Sequence, residues 1–169
     1  MRYFLARSCA RPIALLLFLT AAPVAAQQSE TQPAPGWAVQ CSSPSRAKEP
    51  QCAMEQKIVL EGSGQFLARM VITQHGAGQN PVMLLHVPLG MSIPAGLTLR
   101  VDGMDEPVQL EYQTCDAGGC YAGQPVPAPL LAALIKGMEA TLKFESSARQ
   151  PIELKFSLSG FTEAYEAIR

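Results

Sequence analysis

The sequence of 169 residues is poor in the side chains that carry out nucleophilic catalysis. It has two histidines: His75 stands beside a glycine turn and His86 ends a predicted strand. Ser63 is flanked by glycines, but the G-x-S-x-G spacing that builds a nucleophile elbow is missing. Nothing in the residue order indicates a Ser-His-Asp triad, which would need the fold to bring these groups together. We therefore predict that the chain is not an enzyme, with His75 solvated and His86 a sheet residue.

Metal-ligand patterns are also lacking. Zinc sites usually draw on closely spaced pairs such as C-x-x-C, whereas the cysteines after residue 26 are spaced C-x10-C and C-x4-C. Acidic residues gather near predicted turns, but without the D-x-D-x-D-G order of a calcium loop. These acids are Asp102, Asp105, Glu106 and Asp116. We interpret them as solvated turn residues, and we predict no metal site and no cofactor.

Apolar runs long enough to span a membrane are absent, and the most apolar segment lies at the N-terminus. Arg2, Arg7 and Arg11 form a basic flank, and the apolar run of residues 13–19 follows. That run is far shorter than the roughly 20 residues that a spanning helix needs. Val24-Ala25-Ala26 supplies the small residues that precede a cleavage site. We predict that residues 1–26 are a secretory signal peptide cleaved after Ala26, and that the protein is exported.

An excess of basic residues is missing as well. The predicted signal peptide holds three of the 13 basic residues and none of the 14 acidic ones, so the remaining 143 residues carry ten basic and 14 acidic side chains. Their net charge near −4 argues against binding to nucleic acid or to an anionic membrane surface, since both require basic patches. A chain of this length forms one domain with a sizeable core. We predict no transmembrane segment in the mature chain.

Four cysteines remain after the signal peptide: Cys41, Cys52, Cys115 and Cys120. An even number in an exported chain indicates two disulfides, for which three pairings are possible. Loop-closure entropy gives a long-range bridge about 4.5 kcal/mol and the two local bridges about 3 and about 2 kcal/mol, so entropy does not select the local pairs. Turn residues inside each pair do favour Cys41–Cys52 and Cys115–Cys120, because Ser-Pro and Gly-Gly can fold the chain back.

The Cys115–Cys120 pair also admits a redox interpretation. The Asp-Ala-Gly-Gly segment between the cysteines is flexible enough for the bridge to open. A reactive thiol needs nearby positive charge or a helix start, whereas the neighbours here are Thr114 and Asp116. We interpret the bridge as structural and keep thiol–disulfide exchange as the alternative.

After residue 26 the chain consists of a polar lead-in followed by a series of predicted strands. Residues 27–36 are polar and rich in proline, which is typical of a flexible segment. Apolar and polar residues then alternate in short runs separated by glycine and proline turns, the signature of an antiparallel sandwich or barrel. About nine strands are predicted. Their spans are residues 37–41, 52–60, 66–73, 81–87, 97–101, 108–112, 121–124, 140–144 and 152–158.

The alternation also assigns side chains to the core. Trp37, the only tryptophan, is predicted to pack there. In the strand at residues 66–73, the apolar residues on one face are Phe66, Ala68, Met70 and Ile72.

Two segments show helical periodicity instead. Residues 127–136 begin with prolines and precede Gly137, the usual asymmetry of a helix. The apolar stripe of this helix, which we expect to close one end of the sandwich, is Leu130, Leu131, Leu134 and Ile135. A short terminal helix is predicted from a second apolar face, made of Phe161, Ala164, Tyr165 and Ile168.

Five short motifs, taken in order after a signal peptide, resemble the invasion-associated locus B family of Gram-negative bacteria. They are Trp37-x-x-x-Cys41, Val87-Pro88-Leu89-Gly90, Gly96-Leu-x-Leu-x-Val101-Asp102-Gly103, Cys115-Asp-x-Gly-Gly-Cys120-Tyr-Ala and Leu158-Ser-Gly160-Phe161-x-x-Ala164. The resemblance runs from residue 37 to the C-terminus. It implies an immunoglobulin-like β-sandwich with local disulfides, exported to the periplasm, the outer membrane or the medium. It also implies an accessory role in host-cell entry, chiefly into red blood cells, and it carries over no catalytic residues.

We therefore predict an all-β, immunoglobulin-like antiparallel sandwich with one or two short helices, spanning residues 37–169. The predicted function is an exported, non-enzymatic binding protein of the bacterial envelope, whose protein partner lies on the envelope or on a host surface. The resemblance adds an association with host-cell invasion and virulence. A periplasmic thiol–disulfide or envelope-stress accessory protein is the alternative. Exposed loops or an edge strand would bind the partner, and residues 76–80 and 88–92 are the candidate loops.

Overall fold

A computed structural model describes residues 36–43, 51–76 and 78–169. The predicted signal peptide lies outside these ranges. So do residues 27–35 of the predicted lead-in and residues 44–50 of the loop that follows the first strand.

Ten strands and two short α-helices make up this part of the chain. The strands are β1 (Ala38–Ser42), β2 (Gln51–Val59), β3 (Phe66–Thr73), β4 (Val82–Val87), β5 (Leu97–Val101), β6 (Val108–Leu110), β7 (Thr114–Asp116), β8 (Gly119–Pro125), β9 (Glu139–Glu145) and β10 (Pro151–Ser157). The helices are α1 (Ala128–Lys136) and α2 (Phe161–Ala167), and a 3-10 turn covers Ile93–Ala95.

The strands form two antiparallel sheets. The larger sheet has six strands in the order β1-β2-β3-β4-β8-β7, and the smaller has four in the order β10-β9-β5-β6. Most spatial neighbours are also neighbours in sequence, because short turns join antiparallel strands directly. The chain changes sheet between β4 and β5, between β6 and β7, and between β8 and β9. The all-β class and the two short helices are as predicted.

The core lies between the two sheets and follows the predicted alternation. In β4, for example, Met83, Leu85 and Val87 are fully buried while the residues between them are half-buried. Trp37 is also buried, as predicted: its ring meets Phe161 edge-on at 5.0 Å. Edge-to-face packing suits the quadrupoles of two aromatic rings.

The alternation predicted Phe66 on the same face as the other apolar residues of β3, and this prediction is wrong. Ile58 of β2 pairs with Ala68, but Val59 pairs with Phe66, so β3 carries one extra residue at this point. A bulge of this kind reverses the alternation on its strand. The Phe66 ring consequently lies on the outer face of the larger sheet, 4.6 Å from the ring of His86.

The segment around Cys115 and Cys120 is a β-hairpin rather than the loop that the turn residues predicted. Cys115 of β7 pairs with Cys120 of β8, and a turn of two residues joins the strands. The count of ten strands instead of nine follows from this hairpin. A three-residue strand is too short to show a clear alternation in the sequence.

Both helices occupy the predicted positions. In α1, a proline near the start needs no backbone N–H partner, and Gly137 follows the last turn. Leu130 and Leu134 of its stripe are buried, Leu131 is half-buried, and Ile135 is exposed. The four apolar residues predicted for the terminal helix are all buried. No helix among the described residues is long and apolar enough to cross a membrane.

Candidate functional site

Among the residues that the structure describes, neither histidine has the partner that a catalytic triad requires. His75 is exposed beyond the end of β3, and its Nε2 lies 3.1 Å from Thr73 Oγ1. His86 lies on β4, and its Nε2 donates to the Gly118 carbonyl oxygen at 3.0 Å. Ser63 Oγ accepts a hydrogen bond from a backbone N–H within its own turn. These groups hold local structure together and are not assembled into one site.

Two of the four acids near the predicted turns accept hydrogen bonds from the backbone. Asp102 Oδ2 accepts from the backbone N–H of Glu139 at 2.9 Å and from that of Met138 at 3.3 Å. Asp116 Oδ1 accepts from the backbone N–H of Gly118 at 2.7 Å. Across residues 36–43, 51–76 and 78–169, no three His, Cys, Asp or Glu side chains are grouped so that they could hold a metal ion.

Each disulfide joins two residues that stand opposite one another on neighbouring strands. Cys41 of β1 is bonded to Cys52 of β2, and Cys115 of β7 to Cys120 of β8. In both pairs the Cα atoms are 4.0 Å apart. Cys115 is exposed, whereas Cys120 is only 2% exposed and belongs to the core. The second bridge therefore fastens a surface strand to the interior.

Residues 114–121 form what we call the cysteine hairpin, and Gly119 fits it against β4. The backbone of Gly119 has φ +144°, a value that favours glycine. A Cβ atom there would collide with the Val87 carbonyl oxygen and with His86 Nε2. The Gly-Gly-Cys sequence thus allows the hairpin to approach β4 closely, where the His86 ring bonds to its turn.

An aromatic row of three rings crosses β3, β4 and β8 and ends on this hairpin: Phe66, His86 and Tyr121. The His86 ring lies 4.6 Å from Phe66 and stacks on Tyr121 at 4.4 Å, with an angle of 12° between the latter two planes. The Tyr121 hydroxyl donates to Asp116 Oδ1 at 3.3 Å. Desolvation, together with the charge and hydrogen bond of Asp116, raises the pKa of Tyr121 above its usual value. The row holds the hairpin against the sheet.

The outer face of the smaller sheet has a different character. Lys143 Nζ lies 2.8 Å from Glu153 Oε2, and Lys155 Nζ lies 2.9 Å from Glu139 Oε1. The hydrogen bond from Lys143 lowers the pKa of Glu153, and the bond to Glu139 raises the pKa of Lys155. Exposed ion pairs of this kind belong to a solvated surface and contribute little to stability.

Several turns meet at the end of the larger sheet where β2 and β4 finish. Because Arg69 of β3 pairs with His86 of β4, the turn before β3 lies beside the segment after β4. The cysteine hairpin and the β9–β10 turn adjoin the same segment. We call this region the loop end. It comprises residues 59–65, 88–96, 117–118 and 146–150.

Apolar side chains are exposed mainly at the loop end. Among the described residues, four of the seven exposed large apolar side chains lie there: Val59, Leu60, Leu89 and Ile93, which are 44% to 54% exposed. Residues 88–96 carry no charged side chain. Exposed apolar side chains that gather at one end of a domain indicate a candidate protein-binding surface.

The longest segment of the loop end is fixed by backbone hydrogen bonds to the smaller sheet. The Ser92 N–H donates to the Glu145 carbonyl at 2.8 Å, and the Ser147 N–H donates to the Gly90 carbonyl at 2.7 Å. Met91 also forms an isolated antiparallel bridge with Ser146. The exposed apolar groups on either side of Met91 are therefore held by a rigid frame.

The two loops that the sequence nominated as binding surfaces lie at opposite ends of the larger sheet. Residues 88–92 belong to the loop end, but the described residues of the other loop, 76 and 78–80, lie between β3 and β4 at the far end. The sequence did not nominate Val59 and Leu60 as part of this surface, and it did not predict the aromatic row. A run such as Val59-Leu60-Glu61-Gly62 shows that apolar residues adjoin a turn, but only the sheet order shows which turns are neighbours.

Comparisons with known proteins agree with this fold. The model of the Invasion associated locus B (IalB) protein family matches residues 37–169. The chain belongs to this family. The fold is also similar to that in the crystal structure of invasion associated protein B from Bartonella henselae, with a TM-score of 0.71. The two chains are 21% identical, and the match covers 81% of this chain and 92% of the other. A comparison with curated proteins finds no match.

Proposed function

We propose that this IalB-family chain is an exported, non-enzymatic binding protein of the bacterial envelope, and that it contacts a protein partner through the loop end. The observation that carries the proposal is the concentration of exposed Val59, Leu60, Leu89 and Ile93 on turns at one end of the sandwich. The partner belongs to the envelope or, as the family's name suggests, to the surface of a host cell.

The rigid frame of the loop end favours binding. Ordering a mobile loop on association costs free energy, and a loop that is already fixed avoids that cost. Backbone bonds from residues 90 and 92 to the β9–β10 region hold this segment in place. The cysteine hairpin is bonded to His86 and pairs with Val87, so it packs against the strand that leads into this segment. The exposed apolar groups on this segment can therefore bind a partner without the cost of ordering the loop.

Export is supported by the disulfides and by the predicted signal peptide. Each bridge fastens an exposed edge strand, β1 or β7, to its neighbour in the larger sheet. Disulfides persist in oxidising compartments such as the periplasm or the medium. The predicted cleavage after Ala26 would leave the lead-in and the sandwich as the exported protein. Association with the outer membrane would then depend on the partner.

The test is affinity capture with the exported chain, purified after processing, from cell envelopes and separately from host-cell membranes. The loop-end variant is Leu89→Ser with Ile93→Ser. The control is Ile135→Ser with Met138→Ser, which removes two exposed apolar side chains at the C-terminal end of α1. We expect one protein to be retained by the wild type and by the control.

For the retained protein, the loop-end variant should bind at least about tenfold more weakly, because central apolar anchors each contribute about 1 kcal/mol or more to an interface. Equal loss of binding in both variants would show a general effect of surface polarity. Unchanged binding by the loop-end variant would contradict the proposed site. Both variants should melt within a few degrees of the wild type, which excludes unfolding as the cause.

A second candidate function, thiol–disulfide exchange, is favoured by the exposure of Cys115 at the edge of the larger sheet. A thiolate from a reductant would attack Cys115 Sγ, and the electrons of the broken S–S bond would leave on Cys120 Sγ. That sulfur lies in the core, where an apolar environment disfavours a thiolate. Thiol titration under mild reductant separates the two functions: a structural bridge stays oxidised, whereas reduction without unfolding would favour exchange.

A further inference from the structure

Strand β1 is an edge strand without the usual protection. Of the other three edges, β6 and β7 have only three residues each, and β10 begins with a proline and carries Glu153 and Lys155. The five residues of β1, Ala-Val-Gln-Cys-Ser, include no charge and no proline. Soluble proteins normally shorten, charge or cover such an edge to prevent unwanted strand pairing.

The backbone of β1 directs hydrogen-bonding groups away from β2. The Cα atoms of Cys41 and Cys52 are 4.0 Å apart, the close spacing of a pair that exchanges no backbone hydrogen bonds. Hydrogen-bonded and non-bonded pairs alternate, so Val39 and Met54 form another non-bonded pair. The N–H and C=O groups of Val39 and Cys41 therefore point outward. In the described part of the chain, no strand pairs with β1 on that side.

The side chains of β1 match those of a second copy of the strand. In an antiparallel pair centred on Gln40, Val39 of one copy stands opposite Cys41 of the other. This pair occurs twice, and in each the outward-pointing N–H and C=O groups of the two residues bond to one another. Val39, which is 37% exposed, would then lie beside the disulfide of the second copy. The two Gln40 side chains would meet at the symmetry axis, where each amide can donate and accept. No like charges are brought together.

We propose that β1 is a self-association edge through which two copies pair antiparallel about Gln40. The pairing joins two six-stranded sheets into one continuous sheet of twelve strands and covers the β1 edge of both copies. Another protein could also add a strand here, but β1 itself already supplies the complementary donors, acceptors and apolar groups. The loop end lies on other segments, so self-association and the proposed partner site are independent.

The first test is sedimentation of the exported chain over a wide range of protein concentrations. Val39→Pro removes an outward-pointing N–H and leaves the β1–β2 ladder intact, since that N–H does not bond to β2. Val39→Thr keeps both the N–H and the β-branched shape and serves as the matched control. We expect a monomer–dimer equilibrium whose dissociation constant rises more than about tenfold in Val39→Pro and changes little in Val39→Thr.

A second measurement on the wild type does not depend on the folding of a variant. Hydrogen exchange at the Val39 and Cys41 amides should slow as the protein concentration rises, because dimerisation gives both groups a partner. A chain that stays monomeric at every concentration would overturn the proposal. So would a dimer in which these two amides exchange freely, or protection that arises only when another envelope protein is added to a monomer.

Discussion

At the scale of single residues, Trp37 and Gln56 connect the two sheets through one carbonyl group. Trp37 Nε1 and Gln56 Nε2 both donate to the carbonyl oxygen of Ser157, each at 2.9 Å. A carbonyl oxygen has two lone pairs and can accept both bonds. Gln56 is the one buried polar residue in the described ranges, and this bond accounts for it.

The shared acceptor predicts unequal effects of substitution. Gln56→Met should lower the free energy of unfolding by about 1 kcal/mol or less, because Trp37 still satisfies the Ser157 oxygen and a side chain of similar volume fills the site. Trp37→Ala should cost about 3–5 kcal/mol, since it removes the bond and leaves a large cavity. Urea unfolding measures both. A loss above about 2 kcal/mol for Gln56→Met would contradict this account.

Tyr112 predicts an unusual response to high pH. Its hydroxyl is buried without a hydrogen-bond partner among the described residues, and desolvation raises its pKa from 10.0 to about 12. The phenol loses its proton near pH 10 in the unfolded chain and near pH 12 in the folded one. The free energy of unfolding is therefore highest below pH 10 and falls as pH rises from 10 to 12, because only the unfolded chain releases the proton there.

Tyr112→Phe should therefore unfold at an equal or higher urea concentration at neutral pH, because it removes an unsatisfied hydroxyl and gains up to about 1 kcal/mol. Its advantage over the wild type should grow between pH 10 and pH 12. Unfolding by urea at several pH values checks this. A constant difference across that interval would show that Tyr112 does not titrate as described.

At the scale of elements, alternation and turn chemistry predicted most strands and both helices. The strand β3 was predicted over residues 66–73, as observed, because its ends are marked by glycine-rich turns. The face of Phe66 was not predicted, since one extra residue in a bulge leaves no mark on the apolar pattern. The pairing of β7 with β8 was missed because β7 has three exposed residues and no buried face.

A substitution at Gly119 tests how closely the cysteine hairpin packs on β4. Gly119→Ala should lower the free energy of unfolding by more than about 2 kcal/mol, because the new Cβ meets the Val87 carbonyl in addition to an unfavourable φ. Gly62→Ala is the matched control: its φ is +83°, but no atom lies within 4 Å of the new Cβ. It should cost about 1 kcal/mol. Equal losses by thermal unfolding would contradict the close packing.

The two disulfides predict a second contrast between elements. Replacing Cys115 and Cys120 by alanine should cost about 2 kcal/mol, and replacing Cys41 and Cys52 by alanine about 3 kcal/mol. The order follows because Cys41–Cys52 closes the longer loop in the unfolded chain. Urea unfolding of the two double variants provides the comparison. A larger loss for the Cys115 and Cys120 variant would show that the bond contributes more than loop closure.

At the scale of the whole molecule, the sequence indicated the components of the candidate site but not their arrangement. Residues 88–92 were nominated because proline and glycine mark a turn there. Their neighbours, Val59 and Leu60, come from a turn about 30 residues earlier, and the β9–β10 turn comes from more than 50 residues later. Such neighbours follow from the strand order, which local patterns do not encode. Residues 76–80 were nominated by the same local chemistry and lie at the other end.

The central claim is that the loop end is the binding surface of this sandwich. Hydrogen exchange of the exported chain, alone and with the protein captured from envelopes or host membranes, tests it most directly. The account predicts slower exchange on binding in residues 60–65 and 88–96, and no change in α1 or in the β3–β4 turn. Protection confined to those other segments, with the loop end exchanging as in the free chain, would contradict it.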